Sequence, residues 1–254
     1  MNIFGVQLDI QWENKAANFA RVHELIQAAA PPSGALVVLP EMFATGFSMD
    51  SKNIAEYPGE ATEKYFADLA REYSIFILGG VVTPSDDGRG YNEAVAFSPC
   101  GDRIARYAKI HPFSFSGENK YYAAGHEISL FDWQGFRVAP FICYDLRFPE
   151  IFRAAVKKGA NLFVVIANWP AAREEHWMAL LRARAIENQA YVLGVNRCGD
   201  DPNLHYSGRS QIIDPRGEIF ADGGENEGVI STKLDLSALE KYRAEFPALD
   251  DMRF

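Results

Sequence analysis

Cysteine is scarce in this chain of 254 residues, and its three cysteines lie far apart in the sequence. Cys100, Cys143 and Cys198 are too few for a disulfide framework, and no two of them form the Cys-x-x-Cys pair typical of structural zinc sites. The five histidines include no His-Glu-x-x-His pattern, which disfavours a catalytic metal. We therefore expect no metal and no cofactor, and a fold that is stabilised by its own hydrophobic core.

Long apolar runs and basic segments are absent as well. The longest apolar runs, such as residues 35–40, are too short to span a bilayer. The net charge is −9, from 25 basic and 34 acidic residues, which argues against nucleic acid or an anionic membrane as a partner. No basic and apolar leader precedes the first predicted strand, so we expect a cytoplasmic protein.

Strand-like and helix-like segments alternate along the chain, without an internal repeat or a linker-like stretch. Helical spacing of apolar residues predicts helices over residues 14–30, 60–73 and 174–189, and another that starts near Pro149. Apolar or alternating runs predict strands over residues 3–10, 35–39, 75–82, 93–98, 103–109, 136–142, 162–166, 191–195, 206–213 and 229–234. This pattern predicts one α/β or α+β domain with a mixed sheet over residues 1–254.

Three polar residues directly follow strand-like runs, where open α/β sheets place their ligands. They are Glu41, Lys109 and Cys143, and a predicted helix follows the cysteine. A thiol at such a turn is held rigidly, and nearby cationic or N–H groups are expected to lower its pKa. Taken singly, these residues are more often a cap, a solvated charge and a buried apolar thiol. Together they indicate a base, a cation and a nucleophile at one sheet edge, although spacing alone leaves the structural interpretation open.

Three segments resemble the signatures of the nitrilase, or carbon–nitrogen hydrolase, superfamily. They are Leu39-Pro40-Glu41-Met42-Phe43, Tyr107-Ala108-Lys109-Ile110-His111 and Cys143-Tyr144-Asp145-Leu146-Arg147-Phe148-Pro149-Glu150. They occur in the order of that family, and the likeness runs from the first strand to about Lys233. Further segments look like the ω-amidase, or 2-oxoglutaramate amidase, branch: Ala167-Asn168-Trp169-Pro170, His176-Trp177 and Ala183-Arg184-Ala185-Ile186-Glu187-Asn188-Gln189.

The resemblance implies an architecture and an activity. The expected fold is a four-layer αββα sandwich, and its protomers are expected to pair into a homodimer or a larger homo-oligomer through residues 163–167 and the helix from His176. The expected reaction is hydrolysis of the terminal amide of a small carboxylate, such as 2-oxoglutaramate, by water. Other activities stay open: deaminated-glutathione amidase, N-carbamoyl amide hydrolase, nitrilase, or a non-catalytic binding or scaffold protein that keeps the fold.

The resemblance also implies roles for five residues. Glu41 is the expected general base, and Cys143 is the expected nucleophile that forms a thioester. Lys109 and the backbone N–H of Tyr144 are expected to stabilise the oxyanion. Glu118 lies where many members of the family carry a second glutamate, and it is expected to orient Glu41 or the attacking water.

Four further residues are candidates for substrate binding. Arg173 and Trp169 belong to a loop at the same predicted sheet edge as Cys143, and an arginine there suits a substrate carboxylate. A plain surface arginine is the alternative. Phe113 and Phe115 closely follow Lys109 and are expected either to form a wall of the pocket or simply to pack.

Two other residues of the signatures are given structural interpretations. Arg147 is expected to pair with a carboxylate such as Asp145 or Glu150. A Cys–His mechanism through His176 is disfavoured, because the spacing from Cys143 does not match that of papain-like enzymes.

Overall fold

Strands and helices alternate through the computed structural model, which describes residues 1–253. The strands are β1 (Asn2–Gln7), β2 (Leu36–Val38), β3 (Phe76–Pro84), β4 (Gly90–Phe97), β5 (Arg103–Ala108), β6 (Tyr122–Ala123), β7 (Phe131–Trp133), β8 (Phe136–Ile142), β9 (Leu162–Ala167), β10 (Tyr191–Asn196), β11 (Cys198–Asp200), β12 (His205–Ser207), β13 (Gln211–Ile213), β14 (Ile219–Asp222) and β15 (Gly228–Lys233). The helices are α1 (Lys15–Ala29), α2 (Ser51–Ile54), α3 (Ala61–Tyr73), α4 (Pro149–Lys157), α5 (Glu174–Asn188) and α6 (Leu236–Glu245).

Two mixed sheets form the middle of the fold. The first has the strand order β15-β1-β2-β3-β4-β5, with β6 beside β4, and its strands β1, β2 and β3 run parallel. The second has the order β14-β13-β10-β9-β8-β7, and β8, β9 and β10 run parallel. The parallel strands read as apolar runs because both of their faces are buried.

The two sheets pack face to face, and helices cover their outer faces. Leu193 and Val195 of β10 lie against Gly5 of β1, whereas Gly194 between them lies against Leu181 of α5. This alternation follows from the period of two along a strand, and it shows which face meets which layer. The outer face of the first sheet packs on α1 and α3 in a separate apolar cluster. The predicted αββα order of layers is therefore confirmed.

Most predicted elements are found within a few residues of their predicted ends, but one predicted strand is wrong. The region of the strand predicted over residues 206–213 forms β12 and β13 instead, separated by residues 208–210, and the φ angles of Gly208 and Arg209 are 70° and 58°. Backbone in this left-handed region cannot continue a strand. The sequence pattern also missed α6, in which Leu239 is the only fully buried residue, so that the helix lacks an apolar stripe.

The prediction that residues 163–167 contact another protomer is also wrong. These residues lie in β9, which has β8 on one side and β10 on the other. Each of them is fully buried within the protomer, so none is available to another chain. The apolar run reflects a central strand that is covered on both faces.

The structure also bears on membrane insertion. Among residues 1–253, none of the helices has the length and apolar character that crossing a membrane requires.

Glu41, Lys109 and Cys143, together with Asn168, follow strands of both sheets at one end of the sandwich. Glu41 follows β2 and Lys109 follows β5, both in the first sheet. Cys143 follows β8 and Asn168 follows β9, both in the second sheet. Because the sheets are packed face to face, these four loops meet.

Gly80 of β3 supports the loop that carries Glu41. A Cβ atom at this position would overlap the backbone nitrogen of Met42 and lie 2.8 Å from the Cα of Glu41. We expect Gly80→Ala to lower the free energy of unfolding by about 1–3 kcal/mol, because the backbone must shift. For a chain of this size, the melting temperature falls by about 2–4 °C per kcal/mol, which circular dichroism measures.

Gly228→Ala in β15 is the matched control, since a Cβ there would meet nothing within 4 Å. Its melting temperature should stay close to that of the wild type. The same melting temperature for Gly80→Ala would contradict the described packing.

Candidate active site

Glu41 lies in the loop after β2 and is completely buried. Its Oε1 accepts hydrogen bonds from Lys109 Nζ at 2.9 Å and from Asn92 Nδ2 at 2.7 Å. Its Oε2 accepts from the backbone N–H of Asn168 at 2.7 Å and from the side-chain amide of the same residue at 3.3 Å. These donors fix the orientation of the carboxylate, because they bond to both of its oxygens.

Lys109 follows β5, and only 1% of it is exposed. Besides Glu41, its Nζ donates to both carboxylate oxygens of Glu118, at 3.1 and 3.0 Å. Burial alone would lower the pKa of Lys109, but the carboxylates of Glu118 and Glu41 raise it above its ordinary value. The ammonium group therefore stays charged inside the protein.

Glu118 begins a short 3₁₀ turn, Glu118–Lys120, and is completely buried. Its Oε1 accepts from Asn92 Nδ2 at 3.0 Å, and its Oε2 accepts from the backbone N–H of Phe113. The structure thus brings Glu118 to the same lysine as Glu41, and the two carboxylates share that lysine.

Cys143 stands where β8 turns into a 3₁₀ helix, Cys143–Arg147, and its φ angle is +47°. Its Sγ is 3.9 Å from the backbone oxygen of Asn168. Burial and then Glu41 raise the pKa of the Cys143 thiol well above its usual value, and Lys109 offsets this only in part. The predicted lowering of the thiol pKa is therefore wrong, because the thiol is desolvated and carboxylates outnumber the ammonium. The resting thiol is protonated and needs a base.

Asp145 anchors the turn that presents Cys143. This buried carboxylate accepts from the hydroxyl of Tyr107 at 2.7 Å, from the backbone N–H of Ile142 at 3.1 Å and from the backbone N–H of His111 at 3.0 Å. The turn is thereby tied to the first sheet. The N–H of Tyr144 belongs to the first residues of the turn, where N–H groups have no acceptor within the helix.

A cavity of about 520 Å³ opens beside Cys143, and its volume lies in the range of small-molecule sites. All four predicted substrate-binding residues line it: Phe113, Phe115, Trp169 and Arg173. Phe115 is 86% exposed, so it stands at the mouth rather than deep in the wall. Further apolar lining residues are Trp12, Phe47, Met49, Tyr144, Leu204 and Tyr206.

Two guanidinium groups, those of Arg173 and Arg147, belong to this cavity. Arg173 lies 5.5 Å from the ring centre of Phe113, and its backbone oxygen accepts from the indole N–H of Trp169 at 2.7 Å. Arg147 lies 4.9 Å from the ring centre of Trp169 and contacts His176 Nδ1 at 3.1 Å. Both charges are thus held over aromatic faces, which attract cations.

The predicted pairing of Arg147 with a neighbouring carboxylate is wrong. Asp145 bonds instead to Tyr107, Ile142 and His111, and it is turned away into the core. Arg147 instead lines the cavity, and its guanidinium lies over the ring of Trp169 and contacts His176.

Sequence reasoning did not identify Asn92 or Asn168 as site residues. Asn92 lies inside β4, and Asn168 directly follows β9 and also donates to the backbone oxygen of Glu41 at 2.7 Å. A polar residue in or just after an apolar strand was the available signal. It was not decisive, because the partner is more than fifty residues away in each case.

Comparison with known proteins gives relatives over almost the entire chain. A 2-oxoglutaramate amidase of Bacillus subtilis is 34% identical, covering 98% of this chain and 96% of that protein. The omega-amidase YafV of Yersinia enterocolitica is 40% identical, covering 97% of this chain and 94% of that protein.

Solved structures and the family description agree with these relatives. A CN-hydrolase superfamily protein of Xanthomonas campestris, which carries an arsenic adduct in its active site, superposes with a TM-score of 0.95 at 37% identity, covering 100% of this chain and 97% of that one. The sequence model of the carbon-nitrogen hydrolase family matches residues 5–244. A match of this extent, on a fold that brings the three signature residues together, shows that the chain belongs to the carbon–nitrogen hydrolase family.

Proposed function

We propose that this chain hydrolyses the terminal amide of a small carboxylate, such as 2-oxoglutaramate, and releases ammonia through a thioester on Cys143. The observation that carries the proposal is the buried set of Glu41, Lys109 and Cys143 at a cavity that also holds two arginines. The relatives named as 2-oxoglutaramate amidase and omega-amidase support the choice of substrate.

In the first half of the reaction, the thiol of Cys143 loses its proton and attacks the amide carbon. Glu41 is the base, since the raised pKa of the thiol leaves a proton to remove. The amide oxygen becomes an oxyanion, which the ammonium of Lys109 and the N–H of Tyr144 stabilise. One such donor typically contributes about 3 kcal/mol to the transition state. Glu41 then protonates the nitrogen, the carbon–nitrogen bond breaks, and ammonia leaves a thioester on the enzyme.

In the second half, water hydrolyses the thioester. Glu41 removes a proton from water, the hydroxide adds to the thioester carbon, and Lys109 again faces the oxyanion. The carbon–sulfur bond breaks, the carboxylic acid product leaves, and the Cys143 thiolate recovers its proton from Glu41, which restores the thiol and the Glu41 carboxylate. Glu118 fixes Lys109 through two hydrogen bonds and thereby keeps the ammonium in place.

The cavity favours a substrate with a carboxylate beyond the amide. Its wall is mostly apolar, so a charged group needs a specific partner there. Arg173 offers a planar pair of donors that matches a carboxylate. Its side chain can be changed without breaking the loop, because the loop is held by the bond from Trp169 to the Arg173 backbone.

The described cysteines also bear on location. All three are free thiols, and the proposed reaction needs Cys143 reduced. We therefore place the enzyme in the reducing cytoplasm as part of the proposal, which cell fractionation tests.

Replacing the proposed nucleophile tests the mechanism directly. We expect Cys143→Ala to release no ammonia from 2-oxoglutaramate while keeping its melting temperature, because only a sulfur is removed. Glu41→Gln and Lys109→Ala should each lower kcat by orders of magnitude, and the losses should not add, since the three residues act as one unit. Ammonia release and intact-protein mass spectrometry measure turnover and any acyl adduct.

The matched control is Cys198→Ala, since Cys198 is also buried but does not line the cavity. This variant should keep its activity. Substantial turnover by Cys143→Ala, or an acyl adduct on another cysteine, would contradict the proposed role of Cys143 as the nucleophile. The non-catalytic alternative would be supported if iodoacetamide alkylates none of the cysteines and no amide is hydrolysed.

Replacing Arg173 tests the proposed charge of the substrate. We expect Arg173→Ala to raise KM for 2-oxoglutaramate about tenfold or more, because a charge-assisted hydrogen bond contributes about 1.5–3 kcal/mol. The effect on an uncharged amide of similar length should be smaller. Arg173→Lys should restore only part of the affinity, since an ammonium cannot reproduce the planar pair.

Arg216→Ala is the matched control, because Arg216 also lies over an aromatic ring, that of Tyr242, but outside the cavity. It should leave both substrates unaffected. Equal losses of Arg173→Ala on charged and neutral amides would mean that Arg173 only supports its loop, and Arg147 would become the next candidate.

We also propose that the protein assembles at least as a homodimer. Large apolar side chains are exposed around the end of α5, notably Ile186, Phe220 and Phe246, and such groups commonly mark contact surfaces. Light scattering at micromolar concentration should give about twice the chain mass of 28.3 kDa. A mass of one chain would contradict this proposal.

A further inference from the structure

We infer that Asn92 is a positioning residue that bridges the two carboxylates of the site and keeps both of them ready to accept a proton. The inference deepens the proposed amidase function and rests on it for the role of Glu41. Its contacts, its place in the sheet and its unpaired oxygen each support it.

Asn92 occupies a position of β4 that the strand pattern assigns to an apolar residue. Ala94 and Ala96 lie on the same face of the strand and belong to the apolar cluster between the two sheets. Only 1% of Asn92 is exposed. A buried amide among alanines is costly unless its polar atoms find partners.

The partners of Asn92 are the reacting groups themselves. Its Nδ2 donates to Glu41 Oε1 at 2.7 Å and to Glu118 Oε1 at 3.0 Å. Lys109 Nζ donates to the same two oxygens, at 2.9 and 3.1 Å. The backbone oxygen of Asn92 also accepts the N–H of Lys109 at 2.9 Å. One residue thus contacts two carboxylates and the lysine between them.

Two carboxylates held this close usually compete for a proton, because like charges disfavour joint ionisation. A positive donor from Lys109 and a neutral donor from Asn92 occupy the facing oxygens and offset that repulsion. An amide adds a donor without adding charge, which a second lysine could not do. The arrangement therefore suits a base that must accept a proton and return it.

The carbonyl oxygen of Asn92 has no hydrogen-bond partner within the part of the chain that the structure describes, although it is buried. An unpaired buried acceptor is unfavourable, and natural proteins retain few of them. The amide is oriented by its donors alone. In this orientation the amide bonds to both carboxylates of the site, and its unpaired oxygen lowers the stability of the fold.

The charged and titratable groups that face Glu41 are Lys109, Glu118, Cys143 and Tyr122. None of them replaces the neutral donor that Asn92 supplies. Without that donor, the carboxylates take up protons more easily, since hydrogen bonds to a charged form stabilise it. The pH below which the base fails should therefore rise.

The test is Asn92→Leu, which keeps the number of side-chain heavy atoms and the branch at Cγ but cannot donate. The rate at which iodoacetamide alkylates Cys143 is measured against pH by peptide mass spectrometry, together with kcat and KM for 2-oxoglutaramate. We expect the acid limb of both profiles to move to higher pH, because the variant lacks the donor that stabilises the charged carboxylates. At neutral pH, kcat should fall about tenfold or more while KM changes little, because Asn92 does not line the cavity.

Asn188→Leu is the matched control, since Asn188 is also buried with an unpaired oxygen but donates only to Arg184 and Glu187. It should lower the melting temperature without moving the acid limb. Asn92→Ser, which retains one short donor, should give a smaller shift and replaces the leucine variant if that one does not fold.

Folded Asn92 variants whose acid limb coincides with that of the wild type would overturn the inference, even if their activity is reduced. Alkylation of Cys143 reports the position of this limb without requiring turnover. Failure of the wild type to hydrolyse any amide would instead contradict the proposed function, and the two failures are therefore distinguishable.

Discussion

The structure depends on one buried interaction, the ammonium of Lys109 held between the carboxylates of Glu41 and Glu118. Removing three charges from water is strongly unfavourable unless each charge has close partners. Those partners come from β4 and from the loops after β2, β5 and β9, so they belong to both sheets. The three charges compensate one another within the first sheet and its loops, and the second sheet adds the two neutral donors of Asn168. Packing of the two sheets therefore completes the site.

How much the sequence could predict follows from this interaction. Glu41, Lys109 and Cys143 each follow a strand, and this position predicted a shared site. The predicted single sheet edge is wrong, because Glu41 and Lys109 follow strands of the first sheet and Cys143 follows a strand of the second. The protonated thiol could not be predicted, because its burial and the excess of carboxylates exist only in the folded chain. Asn92 was missed for a related reason. A strand pattern shows which face a residue is on, but not which distant residue lies opposite it.

The cavity resolves an apparent conflict between the overall charge and the proposed anionic substrate. The chain carries a net charge of −9, which repels anions at long range. Screening limits that repulsion to about 8 Å at physiological ionic strength, whereas Arg147 and Arg173 act within the cavity itself. The apolar side chains of the wall reduce screening by water, which strengthens the attraction between each guanidinium group and an anion in the cavity. Local arrangement thus outweighs composition.

The left-handed backbone at Cys143 has a consequence for the evolutionary history open to this chain. A non-glycine residue at a φ angle of +47° is strained by roughly 1–2 kcal/mol, whereas glycine adopts that angle without a steric penalty. Met42, next to Glu41, has a φ angle of +44° and carries the same burden. Selection for stability alone would therefore favour glycine over cysteine at position 143. In a duplicated copy that is no longer selected for catalysis, replacement of Cys143 by glycine would relieve this backbone strain and stabilise the fold.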